Sequence, residues 1–160
     1  MANIKTEFGT STALTITLAS LAASTTAGRE STAVDNTSNK FVDALVTVIC
    51  QMATGTPASE QAIYVYAYGS EDGTNYNDNA TGSDAALTFR NPSNMPLIGR
   101  IEVPAAVTGG ATFKGVFSVA AAFGGVLPRK WGIVVKNSTN LSLAASGNSA
   151  SYTGIYYTSV

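Results

Sequence analysis

Apolar side chains recur at every second position through most of this chain, and that spacing limits its fold more than any other feature. In Gln61–Tyr68 (QAIYVYAY), Tyr64, Tyr66 and Tyr68 fall on one face of an extended segment and Ile63, Val65 and Ala67 on the other. A helix would need its apolar positions three or four apart. Phe41–Met52 (FVDALVTVICQM) is a β-branched run with apolar residues on both faces. Ala85–Phe89, Leu97–Val103, Thr112–Val119, Trp131–Lys136, Leu141–Ala145 and Tyr152–Thr158 are shorter candidate strands. Turn residues separate them: Thr54-Gly55-Thr56-Pro57, Asp72-Gly73, Asn91-Pro92, Met95-Pro96 and Thr108-Gly109-Gly110. Ser24–Lys40 and Gly69–Gly82 are polar enough to read as loops, and Ala120–Leu127 as a helical turn or a loop.

Eight or nine short strands with no convincing helix predict an all-β chain. The expected fold is an antiparallel two-sheet β-sandwich, jelly-roll-like, of about eight strands with an N-terminal arm. An immunoglobulin-like sandwich is the second choice. At 160 residues one domain is expected. Residues 24–160 would form the sandwich, and residues 1–23 an arm or strand engaging neighbours. The apolar run beginning at Ala13 faintly suggests a secretory leader, but Glu7 stands where positive charge is wanted, and Thr and Ser interrupt the run. A strand is the better reading, with Leu14, Ile16 and Leu18 on one face. No run approaches the length of a membrane-spanning helix.

Composition narrows the chemistry. Histidine is absent and Cys50 is the one cysteine, so no His-based triad, His metal site or internal disulfide is possible. Nine basic and ten acidic residues leave a net charge of −1, which is not the balance of a nucleic-acid binder. Charged residues are only 12% of the chain, whereas 16 Ser and 20 Thr supply its polarity. No G-x-S-x-G or Ser-x-x-Lys spacing occurs to activate a serine. Glu71, Asp72, Asn75, Asn77, Asp78, Asn79 and Asp84 form the densest polar cluster. It fails the EF-hand register, since Ala80 and Ala86 stand where Gly and Glu are required. The expectation is a solvated hairpin loop with no metal and no cofactor. Arg129-Lys130 beside Trp131 reads as a turn next to a core residue.

Four segments carry a resemblance: AGRESTAVDN (Ala27–Asn36), YVYAYGSEDGTNYNDNATGSDAA (Tyr64–Ala86), FGGVLPRKWGIVVKN (Phe123–Asn137) and ASGNSASYTGIYY (Ala145–Tyr157). Together they resemble small virion structural proteins of tailed bacteriophages. The resemblance implies a non-enzymatic β-sandwich in the capsid or tail and transfers no catalytic residue. It leads to the expectation of a capsid decoration, or cement, protein on the virion. Its partners would be the major capsid protein, copies of itself, or both, with no nucleic acid and no membrane. Candidate subunit-interface residues are Leu14, Ile16, Leu18, Tyr64, Tyr66 and Tyr68. The alternative is a tail- or fibre-associated sandwich that binds glycans on the tyrosine ladder, with Asn75 and Asp78 as hydroxyl partners.

Overall fold

The computed structural model describes residues 3–58 and 60–159. Eleven strands follow one another: β1 (Ile4–Phe8), β2 (Thr12–Ala13), β3 (Ala27–Glu30), β4 (Val34–Asp35), β5 (Asp43–Gln51), β6 (Ala62–Ser70), β7 (Ala85–Thr88), β8 (Leu97–Glu102), β9 (Thr112–Ser118), β10 (Lys130–Asn137) and β11 (Ser149–Ser159). A single 3-10 turn, Ala120–Phe123, is the helical content of the described residues. Every strand pairing is antiparallel, and two sheets result. The first runs β1-β11-β5-β9, with β2 also on β11. The second runs β7-β3-β10-β6-β8, with β4 also on β10. The expected all-β, two-sheet sandwich is the observed fold.

The pairings nest. β6 pairs β8, β5 pairs β9, β3 pairs β10 and β1 pairs β11, so the chain closes from its middle outwards. Successive pairs fall in alternate sheets. The core lies between the sheets because each central strand turns its odd or even set inward. On β5 these are Ala44, Val46, Val48 and Cys50, and on β6 Ile63, Val65 and Ala67. β10 adds Trp131, Ile133 and Val135. The Trp131 ring meets Tyr152 of β11 edge to face, with centroids 5.2 Å apart. Each such side chain contributes roughly 1.5–3 kcal/mol when fully buried.

Residues 14–21 depart from the expected arm. Leu14 and Leu18 are buried in the core and Ile16 packs against it. The segment forms no strand and turns at Ala19–Ser20, where Ser20 has φ 54°; its backbone bonds run to β11 and to the connections that follow β3 and β10. Leu14 N–H donates to the Ala150 carbonyl, Thr32 N–H to that of Thr15, and Leu143 N–H to that of Leu21. It therefore seals one open side of the sandwich. Alternation was legible there because one face is dry; ladder pairing was not.

Two further corrections concern loops. Ser24–Lys40 contains β3 and β4, although its composition is that of a loop. The apolar signal is missing because β3 buries Glu30, 1% exposed, whose carboxylate accepts bonds from the Thr81 amide and hydroxyl. Leu141–Ala145 makes only one bridge, Leu143 to Met52. Of the expected loop Gly69–Gly82, Gly69 and Ser70 end β6 and the remainder is loop, with Gly73 at φ 80° in the Asp72-Gly73 turn. It is not simply solvated, since Tyr76 packs edge-on against Tyr68 at 5.5 Å.

Candidate functional site

The six residues expected at a subunit interface do not form one surface. Leu14, Ile16 and Leu18 belong to this chain's own core, for the reason just given, and leave no apolar stripe outside. The tyrosine ladder lies on the outer face of the second sheet, as alternation required, but its members have different fates. Tyr68 is fully buried beneath a second small core of Leu87, Met95 and Val134, with Tyr66, Tyr76 and Phe89 around it. Its hydroxyl donates to the Ser31 carbonyl at 2.5 Å. Gly132 permits this, since a Cβ there would sit 2.4 Å from the Tyr68 ring. Burial raises the pKa of this phenol. Tyr66 packs against Phe89 with the rings tilted by 56° and their centroids 4.9 Å apart. Tyr64 is held by Arg100 and Lys136, each 5.7 Å from its ring centre. A hydrogen bond with Glu60, aided by burial, raises its pKa. No continuous aromatic platform remains.

The acidic loop spends its carboxylates internally. Asp72 accepts from the amides of Thr74 and Asn75, the Asn75 side chain and the Ser70 hydroxyl, which together hold its pKa well below the ordinary range. Asp78 takes the Ser93 hydroxyl and pairs with Arg90. Asn75 and Asp78, the proposed sugar partners, are thereby engaged within the chain, Asn75 by Asp72 and Asp78 by Ser93 and Arg90. Among the described residues no three His, Cys, Asp or Glu side chains gather as a metal-binding group. Cys50 is fully buried, and loss of solvent pushes its thiol pKa up to about 12. A cleft of about 640 Å³ opens between this loop and the 3-10 turn, floored by Met95, Pro96, Phe123 and Pro128. Its one carboxylate is Glu71.

The feature that distinguishes the molecule is the difference between its two outer faces. The second sheet is covered by the excursion through residues 70–96. The first sheet is bare. Its registers place Phe8, Ile155 and Asp43 in one cross-strand row and Thr153, Leu45 and Ser118 in the next. Ser151, Thr47 and Val116 follow, then Ser149, Ile49 and Lys114. Beyond them stand Thr6 opposite Tyr157 and Ile4 opposite Ser159. Among the large exposed hydrophobics, Ile4 (74%), Phe8 (62%), Tyr157 (63%) and Val116 (54%) all lie on this face. Its two charged residues are Asp43 and Lys114, and the Asp43 carboxylate is occupied by the Ser118 hydroxyl and the Ala120 amide. Serine and threonine supply most of the polarity of this face, and Ile4, Phe8, Val116 and Tyr157 stand exposed among them.

Sequence reasoning missed this surface, although its sign was present. The apolar residues on both faces of Phe41–Met52 meant that Leu45 and Ile49 needed cover as much as Val46 and Val48. Comparison with known protein families, with curated proteins and with solved structures finds no match.

Proposed function

We propose that this chain is a non-enzymatic structural subunit, a capsid decoration protein of a tailed-phage virion, that docks through the bare face of its first sheet. One observation carries the reading: a sparsely charged, partly apolar β surface stands open on the first sheet, with Lys114 its one exposed cation. The nested order of the four strand pairs supports a jelly roll, a scaffold whose broad flat sheets suit side-by-side packing.

On this reading the mechanism is mechanical. A neighbouring capsid subunit covers Ile4, Phe8, Val116 and Tyr157, each contributing roughly 1.5–3 kcal/mol if fully buried. Threonine and serine between them accept close approach, and Lys114 is the one exposed cation that the neighbour must match. Repetition around a symmetry axis multiplies weak contacts. Bridged subunits then require more free energy to separate under internal pressure.

The test is an image of the intact particle with this protein's density located. Hundreds of copies on the head surface, contacting the shell through the β1-β11-β5-β9 face, are expected. A dozen copies or fewer confined to the tail would replace this reading with the tail-associated one. Absence from the particle would end both.

A further inference from the structure

β11 outruns the sandwich. It pairs with β5 only as far as Ile155, opposite Asp43; beyond that point its one partner is β1. All five residues of β1 are exposed, and its far edge has no partner among the described residues. A two-stranded ribbon is marginal in water by itself. An open edge is also a template for another strand.

We propose that β1 pairs with β1 of a second copy of this chain, antiparallel and centred on Thr6, joining two first sheets into one. Two properties of Ile4–Phe8 select that register, and a third is compatible with it. The first is overlap: centring on Thr6 sets Ile4 opposite Phe8, Lys5 opposite Glu7 and Thr6 opposite its copy, so all five residues pair. The second is charge. Each Lys5 meets a Glu7 of the other copy, twice over. Centring on Lys5 or Glu7 instead would set like charges face to face, which is destabilising. Neither residue has an ion-pair partner among the described residues, so these charges are free for a neighbour.

The third is backbone direction. The Gly9 amide donates to the Gly154 carbonyl at 2.8 Å. Since amides alternate sides along a strand, Glu7 and Lys5 also face β11, while Ile4, Thr6 and Phe8 point their N–H and C=O groups at the open edge. On the far side of β11, Val42 N–H donates to the Ile155 carbonyl, which is the same phase. The Thr6 register then makes Ile4–Phe8 and Thr6–Thr6 the hydrogen-bonded pairs. Lys5 and Glu7 fall at the non-hydrogen-bonded positions, where side chains approach most closely. The Ile4–Phe8 contact is an aromatic–aliphatic cross-strand pair. The two-fold axis passes between the Thr6 residues, and the contact is isologous, hence closed at two copies. This pairing does not depend on the virion reading; it concerns an edge that any larger assembly would find.

The test uses the full-length protein in sedimentation velocity over a concentration series. Wild type is expected to dimerise. Glu7→Lys leaves Lys opposite Lys, and Lys5→Glu leaves Glu opposite Glu, so each alone should self-associate roughly tenfold more weakly or worse. Mixed one to one, the two variants should recover dimers as a heterodimer, which a misfolded pair would not do. The double variant Lys5→Glu/Glu7→Lys should dimerise like wild type. With Cys50 buried, Thr6→Cys should give a covalent dimer on treatment with diamide. A wild type monomeric throughout the series would overturn the proposal. So would charge variants with unchanged association, a mixture that stays monomeric, or a Thr6→Cys protein that yields no covalent dimer.

Discussion

Asp84 shows how much of this fold rests on polar residues whose partners are remote in sequence. Its carboxylate accepts the Thr17 amide at 2.9 Å, the Thr17 hydroxyl at 2.6 Å and Arg29 Nε at 2.6 Å. Partial burial raises its pKa, but the bonds from Arg29 and Thr17 outweigh that, and the net value lies below the ordinary 3.8. A depressed folded-state pKa contributes stability that is complete above the unfolded value and lost as pH falls through the folded one. Asp84→Asn keeps the shape and removes the charge. The variant is expected to be less stable than wild type near neutral pH by roughly 1–2 kcal/mol, lowering the melting midpoint by about 2–6 °C. The gap should close as the pH is taken well below 3.8. Thermal melts of both proteins at the two pH values check this; a gap that persists in acid would mean the charge is not the source. The sequence placed Asp84 in a cluster of turn formers, because composition records local polarity alone. Thr17 and Arg29 lie 67 and 55 residues away, and nothing in their surroundings marks them as partners. Glu30 is the same case, a carboxylate on a strand that local polarity assigned to a loop.

At the scale of elements, the first 21 residues divide into two parts with opposite roles. β1 contributes no buried side chain. Residues 14–21 contribute Leu14 and Leu18 to the core and hydrogen bonds to β11 and to the connections that follow β3 and β10. Removing residues 1–9 should therefore leave a cooperative melt close to that of the full chain. Removing residues 1–21 should not, since truncating one buried leucine to alanine already costs about 2–5 kcal/mol. Circular dichroism melts of the two truncations decide it. A long truncation that melts like the intact protein would show that the segment is a passenger. The same division explains which elements were legible. β5, β6 and β10 are apolar runs of eight or nine residues, rich in β-branched and aromatic side chains and bounded by turn residues, which is the pattern of a buried strand. β3 is short and hides a carboxylate, so its pattern is silent. Residues 14–18 alternate correctly, yet alternation reports only that one side is dry. Whether the backbone bonds to one neighbour or to several depends on where the rest of the chain lies.

Taken as one object, the molecule is a sandwich with one face finished and the other left open. The 70–96 excursion finishes the second sheet by laying Tyr76, Phe89 and Met95 over Tyr66, Tyr68 and Val134. No segment of comparable length leaves and returns over the first sheet, because β9 leads through the 3-10 turn directly to β10 in the other layer. The tyrosine ladder drew attention in the sequence because three aromatic residues at alternate positions are conspicuous, whereas the open face is assembled from single residues on four strands. Only the registers bring Phe8, Val116 and Tyr157 onto one plane. If that plane is the docking surface, it must tolerate charge in the free subunit and reject it in the complex. Val116→Asp and Tyr157→Asp replace exposed side chains, so each should leave the melting midpoint nearly unchanged, within about 0.5 kcal/mol of stability. Buried under a partner, a carboxylate at position 157 would lose its solvent with no cation beside it, and one at 116 with only Lys114 two positions along β9, a cost of several kcal/mol for an unpaired charge. The double variant should therefore fold normally and lose at least ~100-fold in occupancy on particles stripped of the protein. Tyr64→Ser on the other sheet, equally a loss of an aromatic surface residue, should bind like wild type. Equal losses for both proteins would mean that the finished face is the contact surface. Full occupancy by the double variant would mean that the open face is turned to solvent in the assembly as well.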